Sequence, residues 1–403
     1  MSTIKANGRD YRKPAETTVV VCFDGCDPAY LEAARRYGVA PFLTGTTGQA
    51  LTLQARSAMP SFTNPNNISI VTGVTPETHG IAGNYFLDPA TGEEVMMNFP
   101  RFMTCGTILA ALAAEGVGVG VVTAKDKLLR MLVHGMPASE LPRCRSIEAG
   151  GSAPFLPPQA PDMYGPLSTL EVLDSGIRMI AQSAPQLVYL STTDYMQHTY
   201  APEDPEALAF YQAVDARLAK LHAMGVRLVV TADHGMNAKT TAEGALNAIW
   251  LAEIMDELGA DGRVILPITD PHVKHHGALG SLAHVYLDDR ARLPAVQAAL
   301  AGREGVACVL PRNEAAARLE LPAERIGDLV VVATAAFVLG TRAGDHDLAQ
   351  LDRKLRSHGG FGEQIVPFIV NRQLVPGTPT EGLRNFDAFH IALNQLLPAG
   401  GSV

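Results

Sequence analysis

Four apolar runs in this chain end at, or just before, residues of the kind that ligate metals, and the runs themselves limit the fold. Residues 19–23 lead into Asp24, 187–193 into Asp194 with His198 four positions later, and 228–232 into Asp233-His234, while Leu355-Arg356-Ser357 precedes a lone His358. Short runs of this type read as strands. Strand-like segments at 17–23, 117–123, 186–192, 226–232 and 364–370 alternate with helical patterns at 30–37, 105–115, 167–183, 205–223 and 386–397. The alternation predicts an α/β fold with a mostly parallel sheet between helices. In open sheets of this kind ligands bind outside the carboxyl ends of the strands, where three of the motifs put an acid.

Three carboxylates and three imidazoles suffice for two divalent ions, since a catalytic zinc takes about three protein ligands. An aspartate after a strand also serves as a helix cap or turn residue, so it is the joint placement that points to metal. A nucleophile is offered by Met59-Pro60-Ser61-Phe62-Thr63-Asn64-Pro65. Asn64 suits a helix cap and Pro65 the first helical position, which sets Thr63 just ahead of a helix N-terminus, where free N–H groups and the helix dipole favour a phosphoryl group. Thr63 as an ordinary capping residue, or Ser61 as the nucleophile, are the other readings.

These residues resemble the alkaline phosphatase superfamily in its nucleotide pyrophosphatase/phosphodiesterase-like branch. The likeness rests on Phe23-Asp24-Gly25, Pro60 to Asn66, Thr75-Pro76-Glu77-Thr78-His79-Gly80, Asp194 with His198, Asp233-His234-Gly235-Met236 and Ser357-His358-Gly359, in that order along the chain. Within the branch, Gly83-Asn84-Tyr85-Phe86, Thr123-Ala124-Lys125-Asp126-Lys127 and the stretch from Asp270 through His272, His275 and His276 resemble the phosphonoacetate hydrolases, which split a carbon–phosphorus bond.

The resemblance implies two zinc ions, with manganese or iron as alternatives. One would be held by Asp194, His198 and His358, the other by Asp24, Asp233, His234 and the Thr63 oxygen. Asp194 and His198 have the four-residue spacing that puts side chains on one face of a helical turn. Thr63 would be the nucleophile, giving a phosphothreonine intermediate, and Asn84 with the Asn64 backbone N–H would donate to a phosphoryl oxygen. Lys125 and Lys127 would hold the carboxylate of a small anionic phosphonate. Alternation along an extended segment would turn both ammoniums to one side, although surface lysines and a turn asparagine are the plain readings of these residues. A phosphodiesterase, nucleotide pyrophosphatase or phosphomonoesterase with the same metals is the alternative activity, and a metal-binding protein without turnover the alternative class. His272, His275 and His276 read as substrate-contacting, hinge or polar loop residues.

Between His234 and His358 the sequence carries its own strand patterns near 283–287, 305–310 and 327–333 and a helix near 293–301. A metallohydrolase core of residues 1–240 and 350–403 with a cap inserted at 241–349 is therefore expected. Residues 145–165, rich in proline and glycine, read as an irregular loop. The formal charge of −9 argues against a nucleic-acid partner. No segment is apolar for long enough to span a bilayer, and the five cysteines lack paired spacing. A cytoplasmic enzyme is expected, with a homodimer left open.

Overall fold

The computed structural model describes residues 3–151, 153–270, 277–348 and 354–399. His272, His275 and His276 lie outside the described residues. The strands used below are, in chain order, β1 (Thr18–Cys22), β2 (Leu51–Arg56), β3 (Val119–Thr123), β4 (Cys144–Ser146), β5 (Leu187–Ser191), β6 (Arg227–Thr231), β7 (Gly262–Ile265), β8 (Leu282–Leu287), β9 (Val306–Pro311), β10 (Leu329–Ala333) and β11 (Ile365–Val370). The helices are α1 (Pro28–Tyr37), α2 (Thr63–Thr72), α3 (Asp126–Leu132), α4 (Pro166–Ser183), α5 (Tyr195–Thr199), α6 (Pro205–Ala223) and α7 (Leu293–Ala301).

The central sheet runs β2-β11-β6-β1-β5-β3-β4. From β6 to β4 all neighbours are parallel, while β11 is antiparallel to both β6 and β2. Every residue of β1, β3, β5 and β6 is buried. Successive side chains of a strand point to opposite faces, so both faces of this sheet are covered. The register is flush: Cys22 pairs with Ser191 on one side and Thr231 on the other, and Ser191 with Thr123. The residues that follow these four strands therefore emerge side by side.

Helix starts follow local chemistry. Pro28, Pro166 and Pro205 open α1, α4 and α6, where a missing N–H costs nothing. The helix expected from residue 105 begins at Ile108, because Thr107 caps it by accepting from the Ala110 N–H. The continuous helix expected over 386–397 is instead a 3₁₀ turn, one α turn and a π turn ending at Gln395. There Asn394 is drawn onto the backbone of Asp10 and Arg12.

A second sheet, β7-β8-β10-β9, is antiparallel throughout. One face packs Ala283, Val285 and Val331 against Val296 and Leu300 of α7 in a separate apolar cluster. The other face gives Leu282, Val330 and Val332 to the main core. Asn237–Ala238 pairs antiparallel with Arg356–Ser357, bringing together the two stretches that flank this sheet in the chain. The short β7, two of whose four residues are exposed, has no counterpart in the sequence pattern.

Beside that junction lies an ion pair without solvent exposure, Lys239 with Glu363. Lys239 Nζ donates to Glu363 Oε1 at 2.8 Å, and at 2.7 Å to Ser281 Oγ and the Ala335 carbonyl, using all three ammonium donors. Glu363 also accepts from the Gly360 N–H and from Asn237 Nδ2. Removing one partner strands a buried charge, so Lys239→Met should cost about 3–5 kcal/mol in urea unfolding. Lys239→Met combined with Glu363→Leu should recover much of that loss; a double variant no more stable than the single one would contradict this account.

Candidate active site

The flush strand ends deliver the acids. Asp24 follows β1, Asp233 follows β6 and Asp194 follows β5 directly before α5, and all three are buried. His198 sits on α5, and His358 comes from the loop after Ser357. Gly25 lets β1 turn beside Asp194: its φ is +69°, and a Cβ there would lie 2.8 Å from Asp194 Cβ. Asp233 is oriented by the N–H groups of Gly25 and His234 and by Asn67 Nδ2. Asn67 is fixed in turn by hydroxyls from Tyr189 and Ser191.

His198 Nε2 lies 2.9 Å from Asp194 Oδ2, and His358 Nε2 lies 3.7 Å from the same oxygen. His234 Nε2 stands between the acids, 3.3 Å from Asp24 Oδ1 and 3.9 Å from both Asp194 Oδ2 and Asp233 Oδ2. The His234 and His358 rings stack, with centroids 3.5 Å apart. Two overlapping groups, Asp194–His234–His358 and Asp24–Asp233–His234, each bring one ligand atom per residue within 4.8 Å of the others.

The outer nitrogens decide what these rings can do. Each Nδ1 faces a backbone carbonyl: His198 that of Arg356 at 2.7 Å, His234 that of Gly235 at 2.9 Å and His358 that of Ser61 at 2.8 Å. A carbonyl can only accept, so Nδ1 carries a proton, and Nε2, which faces the carboxylates, is the atom left to ligate a metal once its own proton is displaced. Ligating histidines are held in this way. Asp24 Oδ1 is buried and meets His234 Nε2 at 3.3 Å without a well-aligned hydrogen bond, a place where a cation would be favoured. The donor set fits zinc.

Burial raises the Asp24 carboxyl well above its usual range, with Asp194 and Asp233 adding to the effect. Burial acts likewise on Asp194, but His198, His234 and His358 outweigh it and its pKa falls well below the usual value. Burial opposes the charged His234 ring, yet Asp233, Asp24 and Asp194 prevail and raise its pKa to about 10.

Thr63 is the first residue of α2, so the helix starts two residues before the Pro65 start expected from the sequence, with Phe62 rather than Asn64 as the cap. Its Oγ1 lies 3.4 Å from His234 Nε2. Thr63, Asn64, Asn84, Lys125, Lys127, Asp24 and Asp270 line one inner cavity of ≈ 30 Å³. The Asn64 N–H donates to Asn84 Oδ1 at 3.2 Å, so the two expected phosphoryl donors adjoin. Ser61 is buried apart from this cavity, its hydroxyl donating to the Gly360 carbonyl.

Lys125 and Lys127 share that cavity, but not by strand alternation. Strand β3 ends at Thr123, Lys125 caps α3 and Lys127 lies in its first turn. Burial works against the Lys125 ammonium, and Asp194, Asp24, Asp270 and Glu148 more than offset it, raising its pKa. Burial and then Lys125 lower the pKa of Lys127. Beyond the lysines opens an outer cavity of ≈ 410 Å³ that includes Arg130, Met163, Tyr164 and Tyr195. Asn67 and Asp270 contact this machinery without having been assigned a role from sequence.

A family model, type I phosphodiesterase / nucleotide pyrophosphatase, matches residues 18–361. The chain belongs to this family. Two solved structures of phosphonoacetate hydrolase from Sinorhizobium meliloti 1021, in complex with phosphonoformate and with phosphonoacetate, are each 46% identical to it with a TM-score of 0.92. Each match covers 98% of this chain and 99% of that one. Murine ectonucleotide pyrophosphatase / phosphodiesterase 5, at 18% identity and a TM-score of 0.62, shares the fold over 96% of this chain and 98% of its own. Among curated family relatives, an uncharacterized pyrophosphatase/phosphodiesterase of Schizosaccharomyces pombe is 28% identical over 58% of this chain. The match spans about half of that relative, 47% of its length.

The raised His234 pKa sets a proton count for metal uptake. A group whose pKa is raised to about 10 keeps its proton at pH 8, and a metal must displace it. Zinc binding at pH 8 should therefore release at least one proton and tighten as pH rises toward that value. Calorimetry in buffers of differing ionisation enthalpy measures the release; a value near zero would refute the assignment.

Proposed function

We propose that the chain is a zinc-dependent hydrolase cleaving the C–P bond of phosphonoacetate to acetate and phosphate through a phosphothreonine intermediate on Thr63. The observation that carries this reading is the shared cavity: Thr63, Asn84, Lys125 and Lys127 line one small space beside the carboxylate–imidazole cluster. Similarity to phosphonoacetate hydrolase over nearly the whole chain supports the choice of substrate. Asp194, His198 and His358 would hold one ion, and Asp24, Asp233, His234 and Thr63 the other; manganese or iron suits the same donors. Bound there, the ions would supply Lewis acidity and lower the pKa of a hydroxyl ligand.

Thr63 Oγ1 attacks phosphorus in line as the P–C bond breaks. The bonding pair passes to carbon and is delocalised into the substrate carboxylate, which Lys125 and Lys127 hold and stabilise as negative charge builds. The carbon gains one proton, matching the one Thr63 lost, and leaves as acetate. Asn84 and the Asn64 N–H orient the phosphoryl oxygens. Water then attacks the phosphothreonine, releases phosphate and restores the hydroxyl, giving net retention at phosphorus.

Residues 241–349 act as a lid that contributes Asp270 to the cavity wall. The free state of all five cysteines suits a cytoplasmic setting. A phosphodiesterase reading draws on the outer cavity with its two tyrosines, and substrate comparison separates the two. Thr63→Ala should bind zinc yet lose turnover by orders of magnitude, with Thr63→Ser retaining part of it. Lys125→Ala or Lys127→Ala should cost about 2–4 kcal/mol in kcat/KM for phosphonoacetate and far less for 4-nitrophenyl phosphate, which has no carboxylate. Equal losses on both substrates, or wild-type protein inert toward phosphonoacetate, would refute this function.

A further inference from the structure

Lys127 is already engaged. Its ammonium forms an ion pair with Asp270, a residue 143 positions away in the inserted segment, and the Asp270 side chain is only 8% exposed. Both line the inner cavity with Thr63, Asn84 and Lys125. We propose, resting on the function above, that Asp270 is an internal competitor for the substrate: its carboxylate and the carboxylate of the phosphonate contend for the same Lys127 ammonium.

Space and charge both support an exchange. The cavity, at ≈ 30 Å³, has room for about two waters. A phosphonate carrying a carboxylate arm is larger than two waters, so the lining must give way to it, and the Lys127–Asp270 pair is part of that lining. Keeping both carboxylates on one ammonium would set like charges side by side in a half-buried space, which is unfavourable. The pair also serves a purpose before substrate arrives. Two ammoniums from the start of one short helix repel each other, and Asp270 supplies the counter-charge that lets α3 present both. A substrate carboxylate takes over that duty on binding, so affinity is set by a difference between two ion pairs.

The test measures binding to the zinc-loaded full chain at pH 7 in a Thr63→Ala background, which prevents turnover. Adding Asp270→Asn keeps an acceptor for Lys127 but removes the competing charge. Phosphonoacetate should then bind roughly fivefold tighter, and Asp270→Ser should repeat the gain. Inorganic phosphate, which has no carboxylate, should change less than about twofold. In Lys127→Ala protein the gain from Asp270→Asn should disappear.

Unchanged or weaker phosphonoacetate binding in both Asp270 variants overturns the proposal. So does equal tightening of phosphate, which would make Asp270 a general charge rather than a competitor, and so does a gain that survives Lys127→Ala. If the Thr63→Ala parent binds phosphate but no phosphonoacetate, the substrate assignment itself has failed and the role of Asp270 falls with it. That outcome is distinct from a parent that binds phosphonoacetate and variants that bind it no better.

Discussion

Buried carboxylates do not stay ionised next to one another without compensating cations, and the site is organised around that constraint. Parallel pairing of β1 with β5 and β6 in flush register makes Asp24, Asp194 and Asp233 neighbours. Burial and mutual repulsion push Asp24 toward its neutral form, whereas Asp194 is kept charged by three imidazoles. Binding of divalent ions would relieve this tension. The Nδ1 contacts to backbone carbonyls leave the three Nε2 atoms facing the carboxylates, where such ions would sit.

The supporting residues carry the same logic outward. Asn67 links Asp233 to the hydroxyls of Tyr189 and Ser191 on β5. Gln197 Nε2 donates to the Asp24 carbonyl, and Thr192 Oγ1 accepts from the Asp24 N–H. Each contact joins one strand end to the next, so the acids cannot separate without loss of several buried hydrogen bonds. On the far side, Glu363 accepts from Gly360 while its carbonyl accepts from Gly235. One buried residue thus braces the loops carrying His358 and His234.

Much of this was legible in the sequence because Asp24, Asp194 and Asp233-His234 each follow a short apolar run, a local signal that needs no tertiary information. Strands β8, β9 and β10 and helix α7 were legible for the same reason. Lys125 and Lys127 were picked out as a pair, but the geometry behind it differs: a helix start, not an extended strand, turns them to the cavity. Asn67 was hidden because a buried polar residue on α2 looks like any helical asparagine. Asp270 was quoted as part of a motif, yet its partner lies in a distant segment, and no local pattern encodes an ion pair of that range. Ser61 and Thr63 are equivalent hydroxyls on sequence, but Ser61 is buried with its hydroxyl donating to the Gly360 carbonyl, whereas Thr63 lines the cavity.

His358 has a temporal consequence as well as a spatial one. During synthesis Asp24, Thr63, Asp194, His198, Asp233 and His234 are all available before the inserted sheet is made, whereas His358 follows it. Its carbonyl is held by the Ser281 N–H at the start of β8, and its ring by the Ser61 carbonyl from the opposite end of the chain. The last imidazole therefore docks only when a segment more than a hundred residues long has folded against the core. A nascent chain stalled short of that point lacks His358, so the Asp194–His234–His358 group stays incomplete until the intervening strands have been made.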